Sequence, residues 1–219
     1  MTRMLMVLAV CVIAAAASPA LAVGPVDVEV GVKYWVHEVE PDGDSETYDG
    51  DAPGFFAEVW INKLGFTAAW HQSRVDENGV ESDVDFQGID ARWKLFSVTD
   101  NNFIGLGAGL QQLEFDSPDG SADSTGFRLV ADGQAGLGKI VYVFGEAVYY
   151  IGMDDADLPG GGSLEDIEGW EFEFGVSVKP FPFLNAKAGY RTSQVDGTFE
   201  GNSSDTKFDG WFGAVSVNF

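Results

Sequence analysis

Cysteine is nearly absent from this 219-residue chain: there is one, Cys11, and it falls in the first 22 residues. Bases are scarce too, with 12 Lys and Arg against 35 Asp and Glu, for a formal net charge of −23. Histidine occurs twice, at His37 and His71, and no apolar run exceeds the fourteen residues from Met4 to Ala17. Each shortage excludes something. Without paired cysteines there is no disulfide framework. Without clustered bases the chain is repelled by nucleic acid, which is excluded as a partner. Without ~20 consecutive apolar residues there is no membrane-spanning helix. Zinc-ligand spacing, a phosphate-binding glycine loop and a nucleotide fingerprint are all missing. What is plentiful is aromatic and small: 17 Phe, 6 Trp, 6 Tyr and 28 Gly. That aromatic content excludes acidic low-complexity disorder.

Residues 1–22 read as a secretory signal peptide. Arg3 supplies the positive start, Met4 to Ala17 the apolar core, and Ala20-Leu21-Ala22 the small-x-small cleavage pattern. Leu8-Ala9-Val10-Cys11 is similar to a lipoprotein box, but the apolar core continues past Cys11, where lipoprotein cleavage would follow it. Cleavage after Ala22 leaves residues 23–219 as one domain without cysteine.

That domain alternates with period two along nearly its whole length, and no sustained 3.6-residue pattern appears. Val26, Val28, Val30, Val32, Tyr34 and Val36 form one face, with Asp27, Glu29, Gly31, Lys33 and Trp35 on the other. Comparable runs centre on Ala57, Ala68, Ala91, Leu106, Leu129, Ala147, Phe174, Ala188 and Val215, which makes ten strands, with eight as the alternative count. In the fourth run the phase slips near Gly88, where a β-bulge would fit. Short connections alternate strictly with long ones, which run roughly over 38–51, 74–85, 114–124, 152–168 and 193–209. Those five hold 26 of the 35 acids and only two bases, Arg74 and Lys207, so the rest of the domain is neutral by count. The expected fold is all-β: a transmembrane up-and-down antiparallel barrel with short periplasmic turns and long acidic outer loops. A soluble lipocalin-like barrel, apolar inside around a ligand, shares the alternation and stays open as an alternative.

Aromatics near strand ends suit interfacial girdles: Trp35, Phe55, Trp70, Phe127, Tyr149, Trp170, Tyr190 and Trp211 on the long-loop side, with Phe66, Phe96, Phe103, Phe181 and Phe183 on the other. The run Ile104-Gly105-Leu106-Gly107-Ala108-Gly109-Leu110 resembles strands of the small OmpA/OmpX-type outer-membrane barrels. The last strand, with Trp211, Val215, Val217 and terminal Phe219 on one face, resembles the signal read by the barrel-assembly machinery. The resemblance covers the whole domain and implies the outer membrane of a Gram-negative-type envelope. Lipid and lipopolysaccharide are then the implied surroundings.

Inside such a barrel the polar faces carry Glu58, Asp90, Arg92, Lys94, Arg128, Asp132, Glu146, Glu171, Glu173, Lys187 and Arg191. Opposite charges in a confined lumen must pair, so a network and a closed or very narrow bore are expected. A structural, surface-interaction or narrow-pore role follows, porin-like in architecture. A catalytic alternative rests on His71 and Ser73, two residues apart on one face, with Glu58 on the adjacent strand to orient the imidazole. That trio is similar to the Ser-His-acid arrangement of outer-membrane lipid A deacylases and implies a lipid-modifying hydrolase; a lumen histidine bonded to a carboxylate is the plainer reading. Omptin-like proteases also use loop-side acids and a histidine in ten strands, but this chain is shorter and lacks their Asp-His pairing. Asp42, Asp44, Glu46, Asp49 and Asp51 offer oxygen ligands to Ca²⁺ without a complete EF-hand loop. No other cofactor is expected, and the acidic loops point to cationic or divalent-ion-bridged surface partners.

Overall fold

The computed structural model describes residues 26–41, 47–77, 80–99, 102–117, 120–157, 162–199 and 201–219. The export signal, and Asp42, Asp44 and Glu46 of the calcium reading, lie outside the described residues. Among those described, the regular elements are all strands. They are β1 (Val26–Pro41), β2 (Tyr48–Ile61), β3 (Leu64–Glu77), β4 (Val80–Thr99), β5 (Asn102–Ser117), β6 (Gly120–Gly136), β7 (Val141–Ile151), the two-residue β8 (Ala156–Asp157), β9 (Ser163–Phe181), β10 (Leu184–Phe199) and β11 (Asn202–Asn218). Neighbours pair antiparallel, β1 pairs back onto β11, and β7 pairs past β8 onto β9. The result is a closed ring of ten strands, with β8 attached beside β9. Among the described residues, closure pairs each of the ten strands on both sides through the belt, the requirement for a sheet in lipid.

The strands are longer than the alternation suggested. β4 has 20 residues and β9 has 19, about twice the ~9–11 of a tilted bilayer crossing. The excess lies on the acidic side. Glu38 pairs with Asp49, Asp83 with Asp116, Glu114 with Asp123 and Asp196 with Asp205, so much of what reads as long loop is barrel wall. The reason is that the acids alternate with Val, Phe and Leu, a pattern that suits a strand with one wet face.

An apolar belt wraps the outside. On β1 it runs from Val30 to Val36, and Val32 is 64% exposed. On β5 it comprises Ile104, Leu106, Ala108 and Leu110. Such a belt, exposed all round, belongs in hydrocarbon rather than water. Its water-side edge is marked by side chains with an apolar body and a polar tip. The Tyr34 hydroxyl donates to Asp51 (2.9 Å), Tyr149 to Glu168 (2.8 Å) and the Trp70 indole N–H to Asp85 (3.1 Å).

Beyond that edge the two faces exchange character with no break in register. Along β4 the inward residues are Val84 and Phe86, then Gly88, Asp90, Arg92 and Lys94; the outward ones are Asp83, Asp85 and Gln87, then Ile89, Ala91 and Trp93. Gly88 pairs regularly with Ala69 on one side and Gln111 on the other, so the expected bulge is not there. The register shifts of β4 lie near the short turn, between Lys94 and Phe96 and between Ser97 and Thr99. What looked like a slip of phase is a change of solvent: lipid outside a polar lumen below, water outside an apolar core above. Two aromatics assigned to the girdle from their place near strand ends are inside, in phase with Lys33 and with Gly105. Trp35 is 1% exposed within the upper core, and Phe103 packs against Trp60 at 5.5 Å in the lower lumen.

Candidate functional site

The lumen is built in three storeys, and glycine makes room for them. A Cβ at Gly107 would meet the Arg92 side chain, and one at Gly65 would meet the Trp60 ring at 2.7 Å. The bare inner face of β5 is therefore space taken up by long charged side chains from neighbouring strands.

The lowest storey, on the short-turn side, is a chamber of about 150 Å³ lined by Lys33, Phe56, Glu58, Trp60, Lys94 and Glu146 among others. Lys187 Nζ lies 2.6 Å from Glu29 Oε1, which also accepts from Ser216 (2.7 Å) and Asn185 (3.2 Å). Lys33 Nζ lies 2.5 Å from Glu173 Oε2. Lys94 lies over the rings of Trp60 (4.2 Å) and Phe103 (4.6 Å), and the Trp60 indole N–H donates to Glu58. Glu29 and Lys33, read from sequence only as polar-face residues, thus take part in the pairing.

The middle storey is centred on Arg92. Its guanidinium reaches Asp90 Oδ1 (2.5 Å), Glu146 Oε2 (2.5 Å) and Asp132 Oδ2 (3.4 Å). Arg128 shares Asp90 at 3.4 Å and donates to Gln111 Oε1 at 3.1 Å. A planar guanidinium with donors in a fixed fork suits such bridging between strands. Alternation placed these residues on one face; it gave no sign that Arg92 would be the common partner of three carboxylates.

The top storey is an apolar plug that the sequence reading missed. Trp35, Phe86, Leu113, Tyr150 and Phe208 are among its members, with Met153 and Ala156 of the β7–β9 connection folded in beside them. Asp154 N–H donates to Thr125 O (3.0 Å), and the Ser124 hydroxyl donates to Asp154 O (2.5 Å), tying that connection down. A signal was available in Val84 and Phe86 between Asp83, Asp85 and Gln87, and in Leu113 and Phe115 between Gln112, Glu114 and Asp116. Arg191 enters the plug from β10, over the Trp35 ring at 4.8 Å, and pairs with Glu171 at 2.5 Å. The ladder partner of Arg191 is Glu173, but its bond is to Glu171, and Tyr150 donates to the same carboxylate.

The proposed Ser-His-acid trio does not assemble. Glu58 pairs across the ladder with Thr67, whereas His71 pairs with Gly54, four residues along β2. His71 instead stacks on Phe86, with ring centroids 4.6 Å apart. Ser73 Oγ is 2.7 Å from Nε2 of the other histidine, His37, and the two residues are 0% and 2% exposed. All three groups face inward, away from lipid. Among the described residues no cluster of three or more His, Cys, Asp or Glu could hold a metal ion, so the calcium reading gains no support from Asp49 and Asp51. Trp211, Val215, Val217 and Phe219 share the outward face of the β11 segment, and all are exposed.

No family model matches the chain, and no curated protein matches it. Among solved structures, the outer-membrane protease OmpT of Escherichia coli is similar with a TM-score of 0.58, over 89% of this chain and 96% of that one, at 9% identity. An outer-membrane channel from Pseudomonas putida F1 is similar with a TM-score of 0.53, over 89% and 95%, also at 9% identity. The Neisserial surface protein NspA has a TM-score of 0.47 over 88% and 97%, at 14% identity. At such identities the likeness speaks to fold. The ring of ten strands, the apolar belt and the likeness to the OmpT and Pseudomonas putida barrels agree: the chain has the fold of an outer-membrane β-barrel.

Proposed function

We propose that this protein is a non-conducting outer-membrane barrel that holds an acidic, water-exposed wall above the outer leaflet for contact with surface partners. The observation that carries the reading is the apolar plug. An ion crossing the lumen would meet Trp35, Phe86, Leu113, Tyr150 and Phe208, all buried and packed in one cluster. Dehydrating an ion in such a layer costs far more than a wet pore would. Below the plug, the Arg92 cluster fills the bore with bonded charge.

The wall above the belt is acidic outside, so its partners are cationic, or anionic ones bridged by divalent ions, lipopolysaccharide included. The chain reaches the membrane through its cleaved export signal, and the outward aromatic and valine face of β11 serves as its assembly signal. Planar-bilayer recording of the refolded protein at neutral pH tests the main point. No unitary current steps are expected; steps of general-porin size would overturn it.

A further inference from the structure

The plug contains two histidines for which the reading above has no use. His37 on β1 and His71 on β3 are both buried among rings: His37 stacks on Trp35 at 4.3 Å, His71 on Phe86 at 4.6 Å, and both rings approach Trp35. Each keeps one ring nitrogen without a partner, Nδ1 of His37 and Nε2 of His71. Phe208 packs on His37 at 5.8 Å and on Phe86 at 5.7 Å, so the two imidazoles belong to the aromatic stack that closes the lumen.

The charges facing the pair are mostly positive. Arg191 of β10 acts on both histidines; Lys33 of β1 and Arg128 of β6 act on His71. Asp51 of β2 acts on His37 as the single acid of the set, and His37 itself acts on His71. Glu171 of β9, the other carboxylate nearby, is bonded to Arg191 and to Tyr150 of β7. A proton added to either ring would place a cation in an apolar layer, beside other cations, with no carboxylate bonded to it. Opening the layer to water relieves that cost, and a histidine in water takes up its proton near pH ~6.5.

We propose that His37 and His71 form a proton-operated latch on the plug: neutral rings keep it shut, and protonation loosens it and admits water from the outside as far as the Arg92 cluster. The inference rests on the plug being shut at neutral pH, which one arm of its test reads separately.

Ser193, inward on β10 and 0% exposed, reports on the plug, whereas Ser203 is exposed. S193C and S203C, each in a C11S background and refolded into vesicles, are reacted with a dithiodipyridine, which modifies thiols in acid as well as at neutral pH. The rate at Ser193→Cys is read relative to that at Ser203→Cys, which cancels the pH dependence of the thiol chemistry. Expected is a low ratio at pH ~7 that rises at least about tenfold at pH ~4.5, the scale of one linked proton over one pH unit. In the H37Q/H71Q double variant, whose side chains cannot take the proton, the rise is expected to vanish. A ratio that does not change with pH overturns the latch, as does an equal rise in the double variant, which would assign it to carboxylates. A high ratio already at pH ~7 overturns both the latch and the non-conducting reading. Heat-shifted gel mobility certifies folding of each variant. If S193C does not fold, S124C replaces it, and if the double variant does not fold, H37Q alone is compared.

Discussion

Arg92 on β4 and Glu146 on β7 meet across the lumen, Nη1 to Oε2 at 2.5 Å, with β5 and β6 between them in the wall. The same guanidinium holds Asp90 and Asp132, so one cation answers three carboxylates. Arg92→Met keeps the volume and removes the charge. Breaking a buried network from one side costs roughly 3–5 kcal/mol, because the remaining charges are left uncompensated. Urea unfolding of the refolded barrel in vesicles should show that loss, and a smaller one for Glu146→Gln. Equal stability of Arg92→Met and the parent would show that the network is decoration.

Two glycines, one inward on β5 and one outward on β11, should respond differently to one methyl group. A Cβ at Gly109 would collide with the Ile89 carbonyl oxygen and the Asp90 backbone, neither of which can turn aside. Gly109→Ala should therefore lower stability by about 1–3 kcal/mol, the usual range for overpacking. At Gly213, outward on β11, nothing lies within 4 Å of the added carbon. Gly213→Ala should fold as the parent does, judged by heat-shifted mobility. The reverse ranking would mean that the strand packing is wrongly drawn.

The change of solvent along a single strand face can be measured with one kind of substitution. Leu106 and Glu114 both point outward from β5, eight residues apart, the first in the belt and the second above it. Leu106→Arg should cost roughly 2–4 kcal/mol, as a basic residue at mid-bilayer depth does. Glu114→Arg should cost nothing and should relieve the repulsion from Asp85 and Asp123 that surrounds it. Comparable losses at both positions would place Glu114 in lipid as well.

Acids in that outer wall should make it firmer when protonated. Burial raises the Asp85 carboxyl, and Asp116 and Asp83 add to the rise, against the Trp70 and Gln72 hydrogen bonds. Glu114 is raised by burial and then by Asp116, Asp85 and Asp123. A raised native value means that the contribution to stability is complete below the unfolded-state value of ~4 and is lost as the pH climbs through the native one. Hydrogen exchange of the outer β4–β5 backbone, measured in the H37Q/H71Q background, should thus be slower near pH ~4 than near pH 7 after correction for intrinsic rates. Asp85→Asn should flatten that dependence. Faster opening in acid would contradict the assignment.

How far the sequence could be read follows from what a two-residue period contains. It sorts residues into two faces, and it did so for Lys33, Arg92 and Arg191 as well as for Val32 and Leu106. Ten strands and their order were legible for the same reason. It does not say which face is inside, because that depends on whether lipid or water lies outside. Hence the segments holding Val84, Phe86, Leu113 and Phe115 read as loops because acids separate the apolar positions. Trp35 and Phe103, by contrast, read as girdle residues from their nearness to strand ends, although they share a face with Lys33 and Gly105. Pairing between distant strands was equally hidden. Ser73 and His37 are 36 positions apart, and only the β1–β2–β3 register brings them to 2.7 Å.

The exchange of faces along each strand also sets how deep the molecule floats. One residue of sinking, ~3.3 Å along the chain, would drag Asp85, Glu114 and their neighbours toward hydrocarbon, and one of rising would lift Ile89 and Leu110 into water. Both displacements are opposed on strands such as β4 and β5 at once, and the strands are joined into a single ring. The barrel thus carries its own waterline, fixed in the covalent order of its residues rather than by any anchor. The height of its wall above the membrane is then a constant of the sequence.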